Sequence, residues 1–329
     1  MHAVLMMEGA RKILEVCCGL RAGERVTIVT DFAMGGRIAE VLAASCAERG
    51  ADPVVVWMTP RDVDGAEPPP AVAAAMAEAE LVLTPVRRSI SHSAATRAAL
   101  AGGARVLALS DFREEMFWEG GIRADFPAIR PTCDAVGRRL TGAREAHLTS
   151  PAGTDVRMDL RGRPGNSHAC IVHQPGAFSA FPNIEANIAP VEGSSEGVIV
   201  FDGSIPNFRL GVLREPVRLE VRRGMIAGIA GGQQAQRLEG LLRGRGNLEV
   251  YNIAQLAVGL NPECAELTGQ LTNDHGALGT AHIGIGTSEN LGGHVRAGLH
   301  FDGILRRPTL TLDGKTILED GQLLLEPQP

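Results

Sequence analysis

A small set of side chains has the types and spacings from which a metal centre can be built. His300-Phe301-Asp302 is the most informative. In an extended chain, side chains alternate between faces with a period of two, so His300 and Asp302 project from one face and Phe301 from the other. An imidazole and a carboxylate two residues apart on one strand make a compact pair of metal ligands. A further histidine completes a set of two His and one carboxylate, which suits mononuclear non-haem iron(II) with open positions for oxygen and substrate. By itself the spacing also fits a strand carrying an exposed His and a surface Asp.

His282 is the candidate third ligand. It lies in Gly279-Thr280-Ala281-His282-Ile283-Gly284-Ile285-Gly286, whose small and apolar residues read as a buried strand. A lone histidine on such a strand is commonly a hydrogen-bonded core residue, but the surrounding glycines leave room for a metal or substrate to approach the backbone. Glu185 lies between apolar neighbours in Phe181–Pro190, where a carboxylate must be paired, metal-bound or exposed. His92 follows Arg87-Arg88-Ser89-Ile90-Ser91, after a strand signal and before a helical one. Open α/β sheets bind ligands beyond the carboxyl ends of their strands, which places His92 well for a catalytic role. Ser91-His92-Ser93 reads equally as helix capping by serine. His275 and His294, in polar and Gly-rich surroundings, read as loop residues, and Glu192 and Glu196 as solvated turn residues.

The elements that must position these residues fall into two grammars. Arg25–Thr30, Pro53–Met58, Leu81–Leu83 and Arg105–Leu109 are strand-like runs separated by helical stretches, among them Ala71–Ala79 and Ser93–Leu100. That alternation implies βαβ units and a parallel sheet, a Rossmann-like α/β domain over residues 1–140. Beyond it, His147–Leu160 reads as a hairpin, and Gly197–Phe201, Val217–Val221 and Thr309–Leu312 as further strands. Asp313-Gly314 marks a tight turn. Only Gln233–Arg243 and Asn252–Val258 read as helical there. Residues 141–329 are therefore expected to form a β-rich α+β domain carrying the metal site, and the fold class is α/β plus α+β.

Composition removes several functional classes. The 329 residues are 44% hydrophobic and 21% charged with a net charge of −6, which is too apolar for disorder and has no basic stripe for nucleic acid. Aromatics at 4% are too sparse for a base-stacking surface. No apolar run reaches the roughly 18 residues of a membrane span. The start, Met1 to Glu8, lacks the charged and apolar segments of a signal peptide, so a cytoplasmic location is expected. Six cysteines without framework spacing or a CxxC pair read as reduced thiols. There is no Walker loop, HExxH or GxGxxG fingerprint. Phe112, Phe117 and Trp118 read either as a ring-binding lining or as buried packing.

Glu185, Ala189–Gly193, Gly197–Ser204, Asn252–Gly259, Gly279–Ile283 and His300–Asp302 occur in an order that resembles the thermophilic aminopeptidase T family of metallopeptidases. The resemblance covers most of the chain, is strongest after Glu185, and includes a branch similar to dihydroxypyridine ring-cleaving dioxygenase. It implies a metal held by Glu185, His282, His300 and Asp302, with a second glutamate position falling on Gln255. The family's tyrosine ligand has no counterpart, because the only tyrosine, Tyr251, lies in the wrong segment. A neutral amide in place of a carboxylate removes a charge that two close dications need. The expectation is therefore a mononuclear Fe(II) ring-cleaving dioxygenase acting on a hydroxylated aromatic or N-heteroaromatic small molecule. His282, His300 and Asp302 are the expected ligands, Glu185 a weaker ligand or substrate-orienting group, and His92 the general base. The alternatives are a zinc, cobalt or manganese aminopeptidase and a non-catalytic relative. The resemblance also implies a homo-oligomer.

Overall fold

The computed structural model describes residues 2–325. Its contacts divide the chain into two units that are interleaved along the sequence. One comprises the chain up to Ile129 together with His168–Asn183, and the other Arg130–Ser167 together with Ile184 onward.

In the first unit, β1 (Arg25–Asp31), β2 (Asp52–Met58), β3 (Leu81–Thr84) and β4 (Arg105–Ala108) form a parallel sheet in the order β2-β1-β3-β4. Phe178–Ala180 adds a fifth parallel strand beside β4. β3 and β4 are buried throughout and β1 beyond its first residue, which is why they read as unbroken apolar runs rather than alternating ones. Val29, Val82, Val106, Met76 and Ile90 belong to the core on this sheet. The helices α1 (His2–Lys12), α2 (Gly36–Glu48), α3 (Pro70–Ala77) and α4 (Ala94–Ala101) belong to the same unit. α3 opens on Pro70, where a helix does not need the missing N–H, and α4 is capped by Ser93, whose Oγ accepts the Thr96 N–H at 3.1 Å.

The strand order reverses between β1 and β3. There the buried Asp31 carboxylate accepts the Arg87 N–H at 2.6 Å, and Asp64 accepts the Ser89 N–H at 2.8 Å. These bonds pin the connection that carries His92 between β3 and α4. Phe112 and Phe117 are buried edge to face, 4.9 Å between ring centres, and Phe112 continues to Phe181 and Phe126. This is packing within the unit rather than the lining of a ring-binding pocket, and Trp118 lies instead against His2.

The second unit is antiparallel and β-rich. An eight-stranded sheet contains the expected hairpin as Glu145–Thr149 and Asp155–Asp159, and Thr309–Leu312 pairs on the far side of Glu145–Thr149. The Asp313-Gly314 turn has both residues at positive φ, 49° and 80°, the backbone that a two-residue hairpin requires. A second, five-stranded sheet has the order His300–Arg306, Thr280–Gly286, Ile253–Gly259, Glu185–Ile188, Gly165–His168. The fold class is thus the one expected: a parallel α/β unit and an antiparallel, β-rich unit.

Asn252–Val258 corrects the sequence expectation. It is not helical; Ile253–Gly259 is a strand, and all seven of its residues are buried. It lies in mid-sheet between Glu185–Ile188 and Thr280–Gly286, and because residues of both faces are buried the polar alternation that marks a half-exposed strand is lost. Its alanines and leucine favour a helix locally, and tertiary pairing overrides that preference.

All six cysteines are buried thiols, none of them in a disulfide. Burial pushes the Cys46 thiol up to about 12 and raises those of Cys17 and Cys18 as well, which favours the protonated thiol over the nucleophilic thiolate. Among the described residues no helix is long and apolar enough to cross a membrane.

A β-carbon on Gly303 would lie 2.3 Å from atoms of the Phe201 ring, which covers this strand. Gly303→Ala is expected to destabilise the protein by about 1–3 kcal/mol, the usual cost of overpacking a core. A lowered urea midpoint with an unchanged slope would report it; an unchanged midpoint would show that the ring yields freely.

Candidate metal centre

The second unit gathers the candidate ligands on one face of its five-stranded sheet. Register alone dictates this. Asp302 pairs with Gly284 and Gly284 with Gln255, while His300 pairs with Gly286. His282 and Asn187 both pair with Ala257, and Glu185 pairs with Gly259. Residues directly paired across a sheet share a face, and so do residues two apart along a strand. Glu185, Asn187, Gln255, His282, His300 and Asp302 therefore project together. All six are buried, with Glu185 at 5% and His282 at 0% exposure.

Gly284 occupies the middle of this face. A β-carbon there would meet Nε2 of His300 at 2.8 Å and Cβ of Gln255 at 2.7 Å, so its missing side chain is the space that the His300 imidazole uses. The sequence had suggested that these glycines leave room for a ligand. At Gly284 that room is taken by a neighbouring candidate ligand.

Two acid–imidazole pairs result. His300 Nε2 lies 3.2 Å from Asp302 Oδ1, and His282 Nε2 lies 3.5 Å from Glu185 Oε2. His275 links them. Its ring stacks on His282 with centres 4.7 Å apart, and its Nε2 is 3.3 Å from Asp302 Oδ2. Ligating atoms of Glu185, His275 and His282 all lie within 4.8 Å of one another. Reading His275 as a loop residue is thereby corrected: it sits on a short helix, Leu271–Gly276, that lays its ring against the site. Nothing in Asn273-Asp274-His275-Gly276 announces this by spacing, because the ring arrives from outside the sheet.

Outer hydrogen bonds orient the set. His300 Nδ1 lies 2.8 Å from the Thr287 carbonyl, which can only accept, so Nδ1 carries the proton and Nε2 faces the site. Glu185 Oε1 accepts from Asn187 Nδ2 at 2.6 Å and Gln255 Nε2 at 3.3 Å, and Gln255 Nε2 is also 3.3 Å from His282 Nε2. Asn166 Nδ2 donates to Asn187 Oδ1 at 3.0 Å and to the Leu291 carbonyl at 3.3 Å. The loop before His300 is held by Arg163, which donates to the Gly292 carbonyl at 2.6 Å and pairs with Glu192. Glu192 accepts the His294 N–H at 2.8 Å, so it is a structural anchor and not the solvated turn residue expected.

The electrostatics suit a cation. Burial drives the His282 imidazole down to about 4, against the opposing pull of Glu185, so it is neutral and ligand-ready at pH 7. Burial works to raise Asp302, but His300 and His275 outweigh it and hold the carboxyl well below its usual range. Burial also works to lower His300, yet the Asp302 carboxylate and the Thr287 carbonyl raise it on balance. His275 Nε2 and His282 Nδ1 are buried without a hydrogen-bond partner among the described residues. The Nε2 atoms of His282 and His275, at 3.5 and 3.3 Å from the Glu185 and Asp302 carboxylates, make a buried nitrogen and oxygen donor set that fits a divalent metal.

His92 belongs to the first unit, on the turn before α4, where its carbonyl accepts from Arg97 at 3.0 Å. The other four expected site residues belong to the second unit.

Gly284→Ala is expected to displace His300 and weaken metal binding by about 10-fold or more, the scale seen when support around a ligand is lost. Chelator competition measures this, and wild-type affinity in a folded variant would show that the His300 ring does not need that space.

Comparison with known proteins places this geometry in context. The family described as 2,5-dihydroxypyridine 5,6-dioxygenase matches residues 6–325. The 2,5-dihydroxypyridine 5,6-dioxygenase of Pseudomonas putida is 29% identical over 195 residues, which are 56% of this chain and 55% of that protein. The match thus spans about half the length of that curated relative. The solved structure of 2,5-dihydroxypyridine dioxygenase from Pseudomonas putida KT2440 superposes with a TM-score of 0.84 at 22% identity, covering 98% of each chain. Wild-type AmpT from Thermus thermophilus superposes at 0.71 with 15% identity, covering 99% of this chain and 100% of that one. At these identities the two structures show a shared fold.

Proposed function

The chain belongs to the 2,5-dihydroxypyridine 5,6-dioxygenase family, and from that premise we propose that it is a metal-dependent dioxygenase opening the ring of a dihydroxypyridine or a closely related hydroxylated N-heteroaromatic. The family match over residues 6–325 carries this reading. We assign the metal as a single Fe(II), with His282, His300 and Asp302 as ligands and Glu185 as a weaker ligand or substrate-orienting group. A cytoplasmic homo-oligomer is part of the same proposal.

Iron(II) bound here would supply the path by which electrons pass from the hydroxylated ring to dioxygen. The chain's own residues set the conditions for that. Asp302 contributes charge and His282 a neutral imidazole, while the Thr287 carbonyl fixes the His300 tautomer. The reaction cleaves one ring carbon–carbon bond and places both atoms of dioxygen in the product. A base must take the proton of a ring hydroxyl, and His92 is assigned that role because imidazole titrates near neutral pH.

The Gln255 amide supports one metal over two. It sits 3.3 Å from both Glu185 Oε1 and His282 Nε2 and adds no negative charge where a second dication would need one. An aminopeptidase of the aminopeptidase T type requires such a pair of ions.

Protein prepared without oxygen is expected to contain one iron per chain and to consume one dioxygen per 2,5-dihydroxypyridine. His300→Ala should lose both the metal and the turnover. Two zinc-like ions per chain with peptide hydrolysis in the absence of oxygen would replace the oxygenase reading with a hydrolase. His92→Asn is expected to lower turnover by about 10²- to 10⁴-fold with metal content unchanged. Full turnover in that variant would remove the base assignment.

A further inference from the structure

We propose that His275 is itself a ligand of this metal, and that Asp274 is the positioning residue that delivers it. The inference rests on the metal-centre reading above and adds a donor that arrives from outside the sheet.

His275 has the marks of a ligand rather than of packing. Its Nε2 is buried and lacks a hydrogen-bond partner among the described residues, although it lies only 3.3 Å from Asp302 Oδ2. The approach to Asp302 is therefore close without being aligned for a hydrogen bond, as expected where both atoms address a third centre. Its ring lies over His282 at an interplanar angle of 25°, and its ligating atom is within 4.8 Å of those of both His282 and Glu185. With 13% of its side chain exposed, His275 is also the candidate ligand that reaches toward solvent.

Asp274 explains why the ring stays there. A six-residue helix has little stability of its own. The Asp274 carboxylate, fully buried, accepts five hydrogen bonds: from Ser204 Oγ at 2.5 Å, the Thr268 N–H at 2.8 Å, the Gly269 N–H at 2.9 Å, Asn273 Nδ2 at 2.9 Å and Thr268 Oγ1 at 3.2 Å. This knot ties Thr268–His275 to the Ser204 segment. The residue so tied is the immediate chain neighbour of His275, so its geometry is passed directly to the imidazole.

The test measures metal directly. His275→Ala and Asp274→Asn are compared with wild type for iron(II) and cobalt(II) affinity by chelator competition, with circular dichroism confirming the fold. His300→Ala serves as a control for the site. Both variants are expected to fold and to lose affinity, Asp274→Asn by about 10- to 100-fold and His275→Ala by at least as much. The visible spectrum of bound cobalt should change in each. Wild-type affinity and spectrum in His275→Ala, with metal lost in His300→Ala, would overturn this inference and leave the centre standing. Metal retained in His300→Ala would overturn the centre itself. A loss confined to His275→Ala would remove the Asp274 part. Should His275→Ala not fold, counting imidazoles on copper(II)-substituted wild type by pulsed EPR decides: three support His275 as a ligand, and two overturn it.

Discussion

Everything in the second unit follows from the cost of burying two carboxylates on one face of a sheet. Glu185 and Asp302 are almost fully removed from water, and an ionised carboxylate in such a place is unfavourable by several kcal/mol per ion unless charge and hydrogen bonds compensate it. The surroundings supply the compensation piece by piece. Asn187 and Gln255 donate to one oxygen of Glu185, His300 stands beside Asp302, and the Asp302 backbone N–H is held by Asn207 at 3.1 Å. Gly284 and Gly303 give up side chains so that the His300 and Phe201 rings can close over the same strands.

Charge counting then bears on what the site can hold. Two carboxylates with neutral imidazoles balance one dication. A third carboxylate at position 255 would shift that balance toward two, and the amide present there does not. The chain shares its fold with AmpT from Thermus thermophilus and with a 2,5-dihydroxypyridine dioxygenase, and a shared fold does not by itself fix the chemistry. The fold sets the register, and the charge at one position bears on how many metals that register accepts.

Much of this was legible in the sequence. The period-two spacing of His300 and Asp302 states their common face without reference to any partner, and the paired strands confirm that geometry. The parallel sheet was legible because its buried strands are short apolar runs punctuated by helical stretches, one opened by Pro70 and one capped by Ser93. Two kinds of information were hidden. Ile253–Gly259 is buried on both sides, so it shows no alternation, and its alanines suggested a helix. His275 lies on a short helix whose sequence looks like a loop, and only tertiary packing brings its ring to His282. Glu192 looked solvated for a related reason: its partner Arg163 lies 29 residues away. Local pattern reports which face a residue shares with its neighbours along the chain, and it is silent about what folds over that face.

The interleaving of the two units has a consequence for how the chain is made. The strand Phe178–Ala180 completes the parallel sheet only after the chain has left the first unit and returned to it. During synthesis, β1 to β4 emerge and pair while the outer edge of β4 still presents open backbone groups. That edge is covered only once some seventy further residues have been threaded, among them the first strands of the other unit. That pairing is non-local, and non-local pairings form later than local ones. A gene cut at residue 140 would encode a sheet with that edge permanently bare, so the two units share one biosynthetic fate even though each has its own core.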